Sequence, residues 1–324
     1  MNYLQQLLLS EYPLFVSRSG YVSAMISAFP QLASVVKTSA HGIQASVSAD
    51  ASDESYQHLS HEAFVKLRQI LSQAGNDEYT RLTDDYASPE LPSGSVAYHR
   101  IFGLITAQSS YRFSTKQFEK NLIEAEHNPQ IVAHLLHINS PGGEAWYLDR
   151  LSETLDSIEK PIVALYEQCA SAAYHIGCHA TRLYANTQFD YVGCIGTMIS
   201  FWDFSDYYKQ LGLKLVEAKA DGSDLKNKMF DDLIDGKPRQ YVERVLNPLN
   251  EQFLTCVKTH RPALDKLPAD HPVLRGETYF TAEASSLGLC DGSLTLLEAL
   301  QEAIELGTSR QRVSQLKHTA YSML

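Results

Sequence analysis

The residues best placed to do chemistry stand in IVALYEQCASAAYHIGCHA, residues 162–180. A run of strand formers there ends in Cys169-Ala170-Ser171-Ala172-Ala173, and the pattern then turns helical. Small side chains at such a junction let another group approach the backbone closely. Ser171 would lie near a helix N-terminus, where free N–H groups and the dipole favour developing negative charge. A serine hydroxyl becomes a nucleophile only when a base takes its proton and donors hold the oxyanion that forms. Taken alone, the arrangement also fits a helix N-cap in a tight strand–helix joint.

NSPGGEA, residues 139–145, offers what the serine lacks. Gly142 and Gly143 at the end of an apolar strand permit unusual backbone angles and can leave N–H groups facing open space. An oxyanion hole needs such groups, although a plain turn uses a glycine pair too. His175 follows Ser171 by one helical turn, so the two side chains could share a face and form a Ser–His pair. Asp291 in GLCDG reads as the end of a crossover rather than a catalytic acid.

These residues need a frame to hold them. From residue 95 the chain alternates strand and helix patterns. SVAYHRIFGLIT is a strand. STKQFEKNLIEAEHNP is a helix opened by Ser114 with Gln117 three residues on, and it closes before Pro129. IVAHLLHIN is an apolar strand of the kind buried on both faces. SPGGEAWYLDRLSETLDSIEK is a glycine turn and a helix, PIVALYEQ a third strand, and TRLYANTQ and YVGCIGTMISF are further short strands. This order predicts an α/β fold of repeated β-α-β units with mostly parallel strands and right-handed crossovers. Reactive groups then gather at the carboxyl ends of the strands, where both SPGG and CASAA fall. Further on, Tyr241, Val245, Leu249, Phe253 and Val257 form a helix stripe. Pro238 suits its first turn, and Pro248 should kink it.

Residues 1–94 read as a helical appendage with linkers. Helices are expected over residues 1 to about 38, an exposed loop over 39–62, and a short helix that stops at Gly75. The domain proper spans 95–300, and 301–324 form a C-terminal tail or helix.

Several stretches resemble the signal peptide peptidase A (protease IV) family of serine peptidases, within the wider Clp-protease/crotonase fold. They are LLHINSPGGEA, PIVALYEQCASAAYHIGCHATRLYANTQFDYVGCIGTM and GETYFTAEASSLGLCDGS, and the resemblance runs from about residue 96 to residue 296. It implies Ser171 as nucleophile, a lysine as general base, and oxyanion donors from Gly142, Gly143 and the amide of Ala172. In the family the lysine lies in a Gly-x-x-Lys segment after a strand. Here EAKADGSDLKNKMFDD offers Lys219, Lys226 and Lys228. Lys226 fits best, but Gly222 precedes it by four positions rather than three, and Lys228 stays a candidate. The base must be a neutral amine, so burial has to lower its pKa, and Asp221 and Asp224 would oppose that if they faced the site. The sequence departs from the family pattern at three further places. Ala172-Ala173 stands where Gly-Gly is frequent, Cys194 replaces the serine of a Gly-Ser-Ile-Gly strand, and His175 replaces an aromatic residue.

The resemblance implies a Ser/Lys endopeptidase that forms an acyl-enzyme on extended peptides. It also implies a homo-oligomer in which neighbouring protomers complete the active site. The N-terminal preamble and the lack of an anchor are similar to phage and prophage capsid-maturation (prohead) proteases, whose substrates would be scaffold or capsid protein. In that reading self-cleavage would fall in 39–95 and the location would be the host cytoplasm. A cytoplasmic peptidase that degrades signal peptides or other peptides is the other peptidase reading. A crotonase-like acyl-CoA enzyme would share fold and oxyanion hole without needing the serine and lysine. A catalytically silent assembly or scaffold protein would explain the departures.

Composition excludes some classes. The 324 residues carry 27 basic and 38 acidic side chains, a net charge of −11, with no basic cluster, which argues against nucleic acid as a partner. The apolar run at the N-terminus is too short for a signal peptide or a membrane span, so a cytoplasmic protein is expected. Cysteines 169, 178, 194, 256 and 290 form no C-x-x-C pair and read as reduced, buried thiols. No metal site and no cofactor are expected.

Overall fold

The computed structural model describes residues 14–16, 55–73, 77–201 and 203–322. The helices expected over residues 1–38 lie outside the described residues except at Leu14–Val16, which form a strand, β1. Most of the loop expected at 39–62 lies outside them as well. Helix α1 (Tyr56–Gln73) follows and then β2 (Leu82–Thr83).

The alternation read from residue 95 onward is present. β3 (Ser95–Phe102), β4 (Ile105–Thr106) and β5 (Phe113–Ser114) lead into α2 (Thr115–His127). Ser114 caps α2 by accepting from the Gln117 amide at 3.4 Å. The Gln117 side chain does not return to Ser114; it donates to Asn121 instead. β6 (Ile131–Ser140) comes next. The glycine pair is itself a short strand, β7 (Gly142–Glu144), rather than a turn, and α3 (Leu148–Ser157) follows. β8 (Ile162–Ala170) passes into α4 (Ala172–Gly177), and β9 (Arg182–Ala185) and β10 (Tyr191–Gly193) complete the run.

Among the described residues the main sheet has the order β11-β10-β8-β6-β3-β2, with β9 beside the first half of β8. Only β11 (Thr278–Phe280) is antiparallel to its neighbour. Burial on both faces follows the strand period of two. Leu136, Ile138, Ala164 and Tyr166 face one core with Phe118, Leu151 and Phe253. Leu135, Val163 and Leu165 face the other with Phe64 of α1 and with Leu300 and Ala303 of the C-terminal helix. The result is three layers, helices on both faces of a parallel sheet. A second, small sheet of order β1-β7-β4-β5 stands beside it.

After β10 come α5 (Ser205–Gln210) and a stretch from Leu211 to Asn227 of turns and extended chain. It exposes Leu213, Leu215 and Val216, the last two by more than four-fifths. Helices α6 (Lys228–Ile234), α7 (Asn247–His260), α8 (Thr281–Leu287) and α9 (Leu296–Ser322) follow. The kink expected at Pro248 takes the form of a π turn over Val242–Leu246. Pro248 stands just after that turn, within helix that is continuous from Arg239 to His260, and the wider π turn lies where its missing N–H interrupts the ladder.

Candidate active site

Ser171 is the residue between β8 and α4, at the carboxyl end of a central strand. Its φ of 57° and ψ of −119° are those of the first central position of a type II′ turn, a place that favours glycine. Holding a serine there costs about 1–3 kcal/mol, and two backbone bonds keep it in place. The Ser171 N–H donates to the Gly193 carbonyl at 2.8 Å, and its own carbonyl accepts from the His175 N–H at 2.9 Å. Ser171 holds the N-cap position of α4, as in the plainer reading, but its side chain makes no cap bond, so capping does not account for the hydroxyl. Its Oγ is buried and has no hydrogen-bond partner among the described residues.

The neighbouring strand ends converge on this turn. Ser140, the last residue of β6, is paired with Cys169, and Gly193, the last of β10, with Ala170. Helix α4 packs against β7, so the glycine pair and the serine share one corner of the fold. Gly143 must be glycine because β4 passes so close; an added Cβ would lie 1.9 Å from the Ile105 carbonyl oxygen. Gly142 adopts φ 101°, and its N–H donates to Ser140 Oγ at 3.1 Å, which in turn donates to the Gly103 carbonyl. The Gly142 amide is therefore engaged in this state. Ala172 opens α4, where the first N–H groups have no intrahelical acceptor.

The candidate lysines are exposed to solvent, whereas the serine is buried. Lys226 and Lys228 are exposed, in and just after the Leu211–Asn227 stretch. Lys228 donates to both carboxylate oxygens of Asp232 at 2.9 Å, and Lys219 pairs with Glu217 and Asp231. Lys226 has no carboxylate within ion-pair distance among the described residues. The Ser–His pair does not form, since Ser171 Oγ lacks a partner and the buried His175 ring lies 5.1 Å from that of Phe253. Cys194, half-buried at φ 54°, directly follows β10, and burial raises its thiol pKa. Asp291 is structural, as expected; its carboxylate accepts from Arg261 at 3.0 Å and from the Leu183 amide at 2.7 Å.

Fold and site together define an α/β protein with a mostly parallel sheet and a strained serine at a central strand end, an architecture consistent with the Clp-protease/crotonase fold. Residues 154–309, just under half of the chain, match the model of peptidase family S49. The match begins after the glycine pair and takes in Ser171 and Lys226. "Putative protease MJ0651" of Methanocaldococcus jannaschii is 25% identical over 188 residues, covering 57% of this chain and 59% of that protein. "Protease 4" of Haemophilus influenzae is 29% identical over 199 residues, covering 59% of this chain and 31% of that protein. The chain thus aligns with about three-fifths of one relative and a third of the other. All three matches support a peptidase of family S49.

One constellation escaped the sequence reading. The expectation that no set of metal-ligating side chains would form does not hold in three dimensions, because Cys178, His179, Cys256 and His260 come together. The signal was present as an adjacent Cys-His and a Cys-x-x-x-His on one helix face, but 78 residues separate the two cysteines.

Proposed function

We propose that this chain is a serine endopeptidase using a Ser171–Lys226 dyad. The observation that carries the reading is the Ser171 turn, a glycine conformation held by a serine whose buried hydroxyl is bonded to nothing. Backbone strain of this kind persists where it presents a reacting group. Ser171 Oγ attacks the scissile carbonyl carbon and its proton passes to the neutral amine of Lys226. The oxyanion is held by the Ala172 amide and by the glycine-pair amides once Gly142 releases Ser140. The C–N bond then breaks and Lys226 protonates the leaving amine, which leaves an ester on Ser171 for water to hydrolyse.

The strand β7 suits a peptide substrate. Its edge already accepts an extended segment of this chain, with Leu14, Phe15 and Val16 antiparallel to Glu144, Gly143 and Gly142. A substrate would take the same place as an added strand.

Lys226 is favoured over its neighbours by its surroundings: Lys219 and Lys228 are ion-paired with carboxylates, whereas Lys226 has no such partner among the described residues. It must still leave water to act as a base. The exposed Leu213, Leu215, Val216 and Leu225 of the same stretch suit packing against other copies of the chain, so assembly into a homo-oligomer would carry Lys226 to a dry site. Activity per chain should therefore fall on dilution below the assembly concentration; a fully active monomer, shown by sedimentation and peptide hydrolysis together, would sink this part. Lys226→Ala should lower peptide hydrolysis by about 10³-fold or more while Lys228→Ala stays within a few fold. The reverse pattern would move the base to Lys228.

A capsid-maturation (prohead) role in a host cytoplasm is the narrower reading, suggested by the polar, proline-containing segment ahead of residue 95. Among the described residues no helix is long and apolar enough to cross a membrane. Incubation with phage scaffold and capsid proteins, set against signal peptides, would separate this role from general peptide degradation.

A further inference from the structure

Helix α4 carries the proposed nucleophile at its start and a different chemistry at its end. Cys178 is the C-cap of α4, and His179 follows it. Both face the last two turns of α7, where Cys256 and His260 stand four residues apart on one helix face. Cys178 Sγ lies 3.7 Å from Cys256 Sγ; His179 Nε2 lies 3.3 Å and His260 Nδ1 3.8 Å from the same Cys256 sulfur. One ligating atom from each of the four residues falls within 4.8 Å of all the others.

These separations can be set against a tetrahedron. With metal–sulfur bonds of about 2.3 Å and metal–nitrogen bonds of about 2.0–2.1 Å, the sulfur–sulfur edge is about 3.8 Å and a sulfur–nitrogen edge about 3.6 Å. The sulfur–sulfur distance matches, and the two sulfur–nitrogen distances bracket the expected value. We propose that Cys178, His179, Cys256 and His260 form a zinc site that fastens the end of the nucleophile helix to α7.

The surroundings are those of a built site. Asp156, at the end of α3, accepts through one carboxylate oxygen from His179 Nδ1 and from His260 Nε2, each at 2.8 Å. A single carboxylate thus holds the outer nitrogen of both rings and turns the inner nitrogens toward the sulfurs, as the outer partner of zinc-bound histidine does. Cys178 and the side chain of His179 are buried, while Cys256, His260 and Asp156 reach the surface and give an ion a way in. Two thiolates and two imidazoles in tetrahedral array select zinc over magnesium or calcium. Zinc displaces the thiol protons of Cys178 and Cys256 and the proton that His260 Nδ1 otherwise shares with the Cys256 carbonyl, 2.8 Å away. Three elements, α3, α4 and α7, meet at one ion, and the start of α4 inherits that rigidity.

The test uses the full chain, produced in zinc-supplemented medium and purified without chelator or histidine tag. Elemental analysis should find one zinc per chain. Exchange with cobalt(II) should give the ligand-field bands of a tetrahedral centre and a thiolate-to-cobalt charge-transfer band. Cys178→Ser and Cys256→Ser should each reduce the metal to a small fraction, while Cys290→Ser, a buried thiol outside the cluster, should keep it. Asp156→Asn leaves all four ligands in place, so it should bind zinc about 10- to 100-fold more weakly in competition with a chelating dye. Should the cysteine variants fail to fold, the wild-type cobalt spectrum and the Asp156→Asn titration decide. No zinc retained by the wild type after incubation with excess ion, a cobalt spectrum without thiolate bands, or a Cys178–Cys256 disulfide in the purified protein would overturn the proposal.

Discussion

Ser171 combines two features that a purely structural serine would lack. Its backbone angles suit glycine, and its buried hydroxyl has no partner. An unpartnered buried polar group costs about 1–3 kcal/mol. Ser171→Ala removes that cost and leaves the backbone as it is. The variant should melt at the wild-type temperature or a few degrees above it, while peptide hydrolysis falls about 10⁴- to 10⁶-fold. Calorimetry and kinetics on the same preparation check both halves, and a clear loss of stability would mean the hydroxyl has a structural task. At this scale the sequence was legible by type and neighbourhood. Ser171 among small residues and Gly142-Gly143 at a strand end could be picked out because each is unusual for its place. What Gly143 accommodates could not be read, since the carbonyl it makes room for is that of Ile105, on another strand. The zinc ligands were hidden for a related reason: the pairing of α4 with α7 is a packing outcome, not a spacing.

At the scale of elements, β7 is where the fold and the proposed chemistry meet. It pairs on one edge with β4 and on the other with β1, a segment more than a hundred residues upstream. If β1 occupies the position of a substrate strand, weakening it should help a peptide enter. Phe15→Pro removes the N–H opposite Gly143 and with it the strand pairing. It should lower KM for an extended peptide several fold with kcat little changed. An unchanged KM in steady-state assays would place the substrate elsewhere. The helices and strands from 95 to 193 were largely evident from their periods, because a parallel sheet buried on both faces leaves near-continuous apolar strands. β7 was missed as a strand since glycines carry no pattern, and α7 was legible as a stripe whereas its π turn was not.

At the scale of the molecule, the main sheet carries a buried histidine pair that sets its response to acid. His99 on β3 and His134 on β6 are wholly buried, with His99 Nε2 3.1 Å from His134 Nδ1. Burial, and for His99 the charge of His134, holds the His99 imidazole well below its ordinary range; burial likewise lowers His134, against the pull of Glu126. A folded pKa below the unfolded one means that the unfolded chain binds more protons between the two. Stability is therefore full above about pH 6.5 and falls as the pH drops below it, by up to about 1.4 kcal/mol per pH unit for each histidine. Denaturant unfolding between pH 7 and pH 5 should show this slope, and His99→Phe should reduce it by about one proton. An unchanged slope would mean that other groups govern the acid limb.

The purified, assembled protein should be treated with a fluorophosphonate probe and the labelled peptide identified by mass spectrometry. The expected result is a single adduct on Ser171, lost in Ser171→Ala and strongly slowed in Lys226→Ala. An adduct on another residue, or no adduct on an assembled wild-type protein, would contradict the peptidase reading and leave CASAA as a packing joint.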